Sequence, residues 1–371
     1  MLRAALLALA AALTLLPAAA SAAGAPRLLA GAGVGDITPP TSSPMFAYTS
    51  RSFFVPPDPG VNTDDPTKSP GPPLVTDRGE QMVYDPDTGM YAKTFRRGQG
   101  LHTRVLSRAL VFERGHQRYA LVQADLGGFP YELTQEVVKR IADTGITADR
   151  LLISATHTHS STGAIWPADN SGYAYVGGDS FDPRIFDLTA AGISEAIHQA
   201  VARLEPARAG YAAVRHTGAS RNRAFEAFQL NKHVPKDPAA ARAASTDPTF
   251  TVLRVDALDG RPIAVWSNFA AHPTTLDDTI RLFSGDSAGA AARLAEQGMA
   301  TAYRAQGGTD AGPAPVDVWT NGAQGDISSD GDQSSVNGQA EQYDATDTAH
   351  ADLAGERDAA GILEAWRAAG A

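Results

Sequence analysis

The sequence of 371 residues contains no cysteine, and this absence excludes two kinds of chemistry. Without thiols the chain cannot form a disulfide framework, so its core alone must stabilise the fold. Thiolates are also excluded as nucleophiles and as metal ligands. Any metal site in this protein must therefore use histidine, aspartate, glutamate or tyrosine side chains.

Positive charge is scarce as well, with 31 lysines and arginines against 41 aspartates and glutamates and a formal net charge of −10. An acidic chain without basic clusters is not typical of proteins that bind nucleic acid or that are held on anionic membranes by charge alone. We therefore predict no nucleic-acid partner. Beyond the N-terminus, no apolar run approaches the roughly 20 residues of a transmembrane helix.

The N-terminus is the exception, because its apolar run has the features of a secretory signal peptide. Arg3 provides the positive charge, Ala4 to Leu16 the apolar segment, and Ala20-Ser21-Ala22 the small residues of a cleavage site. We predict that residues 1–22 are removed and that the protein is secreted. The remaining chain of about 349 residues is long enough for one large domain or two ordinary ones.

Strand and helix patterns alternate along the chain and predict an α/β fold with a mixed sheet core and flanking helices. No internal repeat is visible. Turn signals are concentrated between residues 51 and 99, so we interpret this stretch as a long loop insertion. Asp182 and Asp286 are the predicted N-caps of two helices. The predicted elements are a strand from Gly33, strands at 105–112, 119–123, 151–156, 249–257, 263–269 and 316–320, and helices at 132–142, 181–204, 287–296 and 352–369.

The pattern His157-Thr158-His159, directly after the predicted strand 151–156, is the clearest sign of chemistry in the chain. Residues i and i+2 of an extended segment point to the same side, so both imidazoles would project together from the end of the strand. Strand ends are where α/β folds place their sites, and neutral imidazole is a common zinc ligand. The pattern favours a metal site, although two polar residues in a surface turn would show the same sequence pattern.

Three other patterns place reactive side chains after strands or in loops. Asn268-Phe-Ala-Ala-His272-Pro puts a histidine directly after a strand, and Ser220-Arg-Asn-Arg223 puts two guanidiniums in a loop. Gly325-Asp-Ile-Ser328 puts a serine after a glycine turn, a common setting for an exposed hydroxyl. Taken singly, each pattern is also compatible with a structural histidine, a solvated arginine or a turn-forming serine.

Together and in this order, these patterns resemble the neutral ceramidase family. The resemblance covers roughly residues 30 to 365 outside the 51–99 insertion, and Ser154-Ala-Thr-His-Thr-His-Ser160 matches the family's histidine motif. The other matching segments are Gly33-Val-Gly-Asp-Ile-Thr38, Thr103-Arg104, Ser107-Arg-Ala109, Asp125-Leu-Gly127, Asn222-Arg223, Phe269-Ala-Ala-His272-Pro, Ser284-Gly-Asp286 and Gly325-Asp-Ile-Ser328.

The resemblance implies a zinc-dependent amidase that hydrolyses the N-acyl bond of ceramide or a similar N-acyl lipid. It implies that His157 and His272 are zinc ligands. His159 and Arg223 would line the catalytic pocket, where either could stabilise the developing oxyanion. Ser328 would donate a hydrogen bond or help to protonate the leaving amine. Zinc would polarise the amide carbonyl and lower the pKa of its bound water.

The sequence departs from the family at the borders of this site. Ser161-Thr162-Gly163 follows the histidine motif where the family has Gly-Pro, and Ser329-Asp330 follows the serine where it has Pro-Asn. The chain contains no Pro-Gly-Glu motif and ends before the family's tyrosine ligand and β-sandwich domain, so two of four expected ligands lack a counterpart. We expect residues 23–371 to form an incomplete catalytic domain, an open half-cleft that holds zinc weakly.

Other functions are compatible with the same residues. The chain could be a metal-dependent hydrolase of another amide or ester, or a catalytically incomplete domain that binds lipid or a partner. A lipid substrate implies peripheral contact with a membrane surface. The acidic residues of Ser328-Ser-Asp-Gly-Asp-Gln333 suggest calcium, but the twelve-residue pattern with a terminal glutamate is missing, so a solvated loop is the default. The sequence does not determine the oligomeric state.

Overall fold

The computed structural model describes residues 27–47, 54–55, 82–85, 90–93, 97–166, 181–277, 280–309, 312–329 and 348–370. The predicted signal peptide and most of the suggested calcium loop lie outside these ranges. The strands are β1 Leu29–Asp36, β2 Phe54–Val55, β3 Met82–Asp85, β4 Met90–Lys93, β5 Gly100–Leu101, β6 Leu106–Arg114, β7 Gln117–Ala124, β8 Leu151–Ala155, β9 Glu205–Arg215, β10 Arg221–Asn222, β11 Thr249–Ala257, β12 Pro262–Phe269, β13 Leu282–Phe283, β14 Val316–Asn321 and β15 Ile327–Ser328. The α-helices are α1 Tyr131–Arg140, α2 Pro183–Ala202, α3 Phe225–Phe228, α4 Pro238–Ala244, α5 Asp286–Ala305 and α6 Ala349–Ala369.

Eight of these strands form one mixed sheet in the order β14-β12-β11-β9-β1-β6-β7-β8. The two edge pairs, β12 with β14 and β7 with β8, are parallel, and every pair between them is antiparallel. A parallel pair needs a crossover connection, and α1 and α5 lie in the chain between the strands of these two pairs. The predicted α/β class, with a mixed sheet and flanking helices, is confirmed.

The sheet consists of two halves that repeat one order of elements. The first half contains β1, β6, β7, α1, β8 and α2, and the second half contains β9, β11, β12, α5, β14 and α6. In each half, three consecutive antiparallel strands are followed by a helix, a parallel edge strand and a long helix. The repeat lies in the backbone topology, which explains why it is not visible in the residue types.

Each half has a core beneath its helices, and a further core joins the halves. Leu133 and Ile193 are buried in the first half, and Phe250 and Ile362 in the second. Apolar side chains on the opposite face of both halves pack against each other, Leu110 among them, and β14 lies close to β6 and β7. The sheet is therefore folded over on itself, with helices covering its outer surfaces and apolar area buried on both faces.

Glycines on β1 allow α2 to lie directly on the sheet. Gly31, Gly33 and Gly35 share one face of the strand, and a Cβ at each would lie within 2.2 Å of a backbone oxygen of α2. Any side chain at these positions would push the helix away from the strand. The Gly-rich start of the chain therefore has a packing role. Asp182 caps α2 as predicted, because its carboxylate accepts a hydrogen bond from the N–H of Arg184 at 2.9 Å.

Three expectations about the elements need correction. The stretch 51–99 is not a loop throughout, because β2, β3 and β4 pair into a small sheet on either side of turn sequences. Helix α5 continues to Ala305, and Asp286 is not its N-cap, since Gly285 occupies that position without a side-chain cap. The sequence also fails to predict β9, because this alanine-rich strand has no continuous apolar run. No helix in the described part of the chain is long and apolar enough to cross a membrane.

Candidate metal centre

Three histidine side chains meet at the end of the sheet where β8 and β12 terminate. Nε2 of His159 lies 3.4 Å from Nε2 of His157 and 3.0 Å from Nε2 of His272. The three rings stand edge to face with centroids 4.6 to 4.9 Å apart. The structure thus brings together the two predicted zinc ligands, His157 and His272, from opposite halves of the sheet. It also places His159, predicted as a pocket residue, in the same cluster.

The two neighbouring histidines converge for a different reason from the predicted one. β8 ends at Ala155, and His157 has a φ of 70°, in the left-handed region. The segment therefore does not alternate like an extended strand; instead a left-handed turn bends it so that both rings reach one point. A non-glycine residue in this region costs on the order of 1–3 kcal/mol, and such strain is concentrated at functional sites. The N–H of His157 donates to the carbonyl of Leu126 at 2.9 Å, which holds the turn in place.

The third histidine comes from the second half of the sheet, after β12 ends at Phe269. The N–H of His272 donates to the carbonyl of Ile327 at 2.8 Å, and its backbone forms a parallel bridge with Ser328. Ser328 pairs in turn with Arg221 across the two-stranded β10–β15 sheet. The predicted serine is therefore largely buried, with its backbone directly beside that of His272.

Backbone carbonyl groups orient two of the rings. Nδ1 of His157 lies 2.5 Å from the carbonyl oxygen of Gly127, so it carries the proton and donates, which leaves the lone pair of Nε2 directed at the cluster. Nδ1 of His272 lies 3.3 Å from the carbonyl oxygen of Gln324 and 3.1 Å from Nη2 of Arg223. The Arg223 guanidinium can only donate, so it pairs with an unprotonated Nδ1, whereas the Gln324 carbonyl pairs with a protonated Nδ1. Nε2 of His272 is free for a metal only in the second tautomer, which the Gln324 carbonyl favours and the Arg223 contact opposes.

Burial and neighbouring positive charge keep these imidazoles neutral. Desolvation lowers the pKa of His157, and the Arg223 guanidinium lowers it further. Desolvation also lowers the pKa of His272, with contributions from His157 and Arg223, to about 3. Metal binding requires the neutral form of imidazole. At neutral pH, therefore, protons do not compete for the nitrogens of these two rings.

The donor set could hold a metal ion, and its spacing is compatible with zinc. Tetrahedral zinc with bonds of about 2.0–2.1 Å separates neighbouring ligand atoms by about 3.3–3.4 Å. Two of the Nε2 separations are 3.4 and 3.0 Å, and one donor atom from each histidine lies within 4.8 Å of the others. Catalytic zinc sites commonly combine three protein ligands with one open position. Where the sequence predicts two ligands, the structure supplies three donors.

Arg223 lies at the edge of the cluster with part of its side chain exposed. Its Nη2 donates to the carbonyl of Gly325 at 2.7 Å, and its N–H donates to the carbonyl of Asp326 at 2.8 Å. The side-chain amide of Asn222 donates to the Asp326 carboxylate at 2.8 Å. The arginine loop is therefore fastened to the loop that carries Ser328. The guanidinium has five N–H donors, so it retains donors that can face an anion.

The groups that support the histidines could hardly be predicted from the sequence. The carbonyls of Gly127 and Gln324 orient two rings, and the side-chain amide of Asn321 donates to the carbonyl of Thr156 at 2.5 Å. Only Gly127 had a signal, because Asp125-Leu-Gly127 is one of the segments that resemble the ceramidase pattern; a Cβ there would strike the ring of Phe46. A backbone carbonyl has no sequence signature, since every residue carries one.

Comparison with known sequences gives consistent matches. A family model described as "Neutral/alkaline non-lysosomal ceramidase, N-terminal" matches residues 83–356. The neutral ceramidase of Drosophila pseudoobscura pseudoobscura is 32% identical over 212 residues, covering 56% of this chain and 29% of that protein. The neutral ceramidase of Mycobacterium tuberculosis is 33% identical over 217 residues, covering 56% and 33% respectively. Neutral ceramidase B of Dictyostelium discoideum is 32% identical over 246 residues, covering 64% and 32%. The chain spans about a third of the length of these curated relatives.

Comparison with solved structures supports the fold. A crystal structure of neutral ceramidase from Pseudomonas aeruginosa aligns with a TM-score of 0.67 at 20% sequence identity. The alignment covers 93% of this chain and 45% of that chain. At this identity the likeness establishes the fold alone. The family match also begins at residue 83, inside the stretch that the sequence analysis excluded from the resemblance.

Proposed function

Because this chain belongs to the neutral/alkaline non-lysosomal ceramidase family, we propose that it acts as a zinc-dependent amidase on the N-acyl bond of ceramide or a similar N-acyl lipid. The observation that carries the proposal is the cluster of three histidines with Nε2 separations of 3.4 and 3.0 Å. The relatives matched over part of this chain are neutral ceramidases, which supports a lipid amide as the substrate class.

We assign the zinc ligands to Nε2 of His157, His159 and His272, with one position left for water or substrate. Zinc bound there would polarise the amide carbonyl and lower the pKa of its bound water. The carbonyl of Gly127 would fix the tautomer of His157, as outer hydrogen-bond partners of metal-binding histidines commonly do, and the carbonyl of Gln324 would accept from Nδ1 of His272 once its Nε2 binds the metal. This assignment gives His159 a second task beside the predicted one of lining the pocket.

Two further side chains would act on the substrate directly. Arg223 would donate to the oxygen that gains negative charge as the amide is attacked. Its contact with the Gly325 carbonyl holds one side of the guanidinium in place, so little reorganisation is needed when the charge develops. Ser328, bridged through its backbone to His272, would donate a hydrogen bond to the leaving nitrogen or pass a proton to it.

An exposed segment that follows Arg223 in the chain supports peripheral contact with a lipid surface. Leu230, which follows the short helix α3, is 86% exposed. Lys232 and Lys236 come next, and they are two of the five lysines in the whole chain. An exposed leucine beside lysines can enter the head-group region while the ammonium groups remain hydrated. We also propose secretion, on the basis of the signal peptide predicted at residues 1–22.

A hydrolase of another amide or ester is the second candidate, because a loop next to the histidines differs from the family. Ser161 and Thr162 are buried, and Thr162 Oγ1 donates to the carbonyl of Pro44 at 3.1 Å. The altered residues are therefore packed into the structure shortly after His159, where we propose that they border the substrate. A different wall changes which acyl or amine group fits, while the histidine chemistry is unchanged.

The proposed function is tested by measuring zinc content and turnover on the protein exported by an expression host. Because three histidines converge where the sequence predicted two ligands, we expect one equivalent of zinc rather than weak binding, together with an N-terminus near residue 23 and release of the fatty acid from a fluorescent ceramide. Chelation should stop the reaction, and added zinc should restore it. Hydrolysis of simple amides or esters but not of ceramide would favour the second candidate. Lipid binding with neither zinc nor turnover would show a catalytically incomplete domain.

A further inference from the structure

The two loops that carry the histidines are joined to one turn, Ser284-Gly285-Asp286, where α5 begins. Ser284 holds the first loop: Oγ1 of Thr158, the residue between the two histidines, donates to the Ser284 carbonyl at 2.9 Å. The N–H of Ser284 donates in return to the carbonyl of Ser160 at 2.8 Å. Both Thr158 and Ser284 are fully buried. The segment that presents His157 and His159 is therefore fixed to this turn on both sides of His159.

Asp286 holds the second loop. Its carboxylate accepts hydrogen bonds from the N–H groups of Thr275 at 3.2 Å and Leu276 at 3.1 Å, and also from the Thr275 hydroxyl. These residues directly follow the His272-Pro273-Thr274 turn. The carboxylate is 1% exposed, so water does not replace these donors. The position of His272 relative to α5 therefore depends on Asp286.

The turn itself has little freedom. Asp286 has a φ of 55°, a left-handed conformation that is uncommon for residues other than glycine. A Cβ at Gly285 would lie 2.7 Å from the Cα of Gly289 and 3.0 Å from the carboxylate of Asp125, so no side chain fits there. The N–H of Asp286 donates to the Ser284 hydroxyl at 2.9 Å. A strained residue persists only where its surroundings determine it, and here those surroundings include both histidine loops.

We propose that the Ser284–Asp286 turn sets the spacing between the two histidine loops, and that Asp286 is a positioning residue for the metal cluster. Each loop belongs to a different half of the sheet, and this turn contacts both through side-chain hydrogen bonds. The inference rests on the proposed zinc site. It gives a role to the segment Ser284-Gly-Asp286. This segment resembles the ceramidase family, but it contains neither a proposed zinc ligand nor a predicted pocket residue.

The test compares zinc affinity, measured by chelator competition, in the full chain and in Asp286→Asn. An asparagine amide cannot accept from both loop N–H groups, so we expect zinc to bind about 10- to 100-fold more weakly, the usual effect of losing an outer support. The absorption spectrum of the cobalt-loaded variant should also change, because the ligand geometry changes. Asp256→Asn is the control. Asp256 is also a buried aspartate and is ion-paired, but it lies at the end of β11 that is far from the histidines, so its variant should retain the wild-type zinc affinity and cobalt spectrum.

A second pair of variants covers the case in which Asp286→Asn does not fold. Thr158→Val should weaken zinc binding, and Thr158→Ser, which keeps the hydroxyl, should restore it. Crystal structures give a readout that needs no metal, because the His159–His272 Nε2 separation, 3.0 Å here, should lengthen in Asp286→Asn and Thr158→Val. An unchanged Nε2 separation would overturn the inference. Variants whose zinc affinity is unchanged and whose only defect is a lower melting temperature would overturn it as well. Absence of zinc from the wild-type protein would instead contradict the proposed function.

Discussion

The two halves of the sheet share one order of elements but contribute differently to the site. The first half presents His157 and His159 after its edge strand β8, whereas the second presents His272 after β12, which lies one strand inside the edge. The position in the first half that corresponds to His272 follows β7, and there Gly127 orients His157 through its carbonyl. A repeated backbone therefore supplies equivalent strand ends, and each half uses them for different tasks.

The halves also differ in how the long helix meets the sheet. In the first half, α2 lies on the glycine stripe of β1, where backbone approaches backbone. In the second half, α5 and α6 cover large aromatic side chains, and the rings of Phe250 and Phe269 stack with centroids 3.8 Å apart. Where backbone packs against backbone, there is no large buried side chain that a substitution could remove. Where aromatic rings pack, much of the buried apolar area belongs to a few residues.

A buried polar network links the two halves. Nε of Arg108, on β6, lies 2.8 Å from Oε1 of Glu296 on α5, and its Nη1 lies 3.6 Å from the Asp125 carboxylate. Glu296 also accepts from the N–H of Asp317 at 3.1 Å, and the Asp317 carboxylate accepts from the Ser267 hydroxyl at 2.7 Å. Buried charges need such partners, so the network joins the halves in one relative position.

The largest effect is expected from removing one histidine of each half in turn. We expect His157→Ala and His272→Ala each to weaken zinc binding by on the order of 100-fold or more, beyond the effect of losing an outer support. Isothermal titration with zinc measures this for both variants. If the two halves contribute equally, the losses are similar; a variant that keeps wild-type affinity would remove its half from the metal site.

Core truncations test the difference in packing. Phe250→Ala in the second half should cost about 3–5 kcal/mol of unfolding free energy, and Ile193→Ala in the first half about 2–5 kcal/mol. Urea unfolding followed by circular dichroism measures both. Because the halves share a core and a polar network, we expect one cooperative transition in each variant. Separate transitions would show that the halves unfold independently.

His159→Ala addresses whether the first half supplies one ligand or two. We expect zinc affinity to fall about 10- to 100-fold, less than for the other two histidines, because His157 and His272, whose Nδ1 atoms contact backbone carbonyls, both remain. Turnover of a fluorescent ceramide should fall with it. Full zinc occupancy together with lost turnover would instead restrict His159 to the pocket role that the sequence analysis gave it. His198→Ala is a suitable control, because His198 lies on α2 and contacts Asp143.

The smallest effect is expected in the polar network, as a change in the pH dependence of stability. Desolvation, with the nearby Glu296 charge, raises the pKa of Asp317 from 3.8 to about 7. The folded state therefore keeps a proton that the unfolded state loses, and this contribution to stability falls as pH rises from about 4 to about 7. Asp317→Asn cannot lose a proton, so its melting temperature should fall less over this range. An identical slope in both proteins would contradict the raised pKa.

The sequence by itself determined the elements that depend on neighbouring residues. The strand Thr249–Ala257 has the predicted bounds, and α2 begins after the predicted cap Asp182, because alternation and capping act within a few residues of the chain. Reactive residue types and their order pointed to His157, His272, Arg223 and Ser328, which the structure places around one site. Residue types alone could not show the repeat of the two halves.

Only the tertiary structure decided how these residues meet. The left-handed turn at His157, rather than strand alternation, brings His159 into the cluster, and the carbonyl of Gly127 selects the tautomer of His157. Asp286, which the sequence suggested as a helix cap, instead holds the loop after His272. Each of these depends on contacts between segments far apart in the chain, and the energies of such contacts arise only once the sheet has folded over and excluded water.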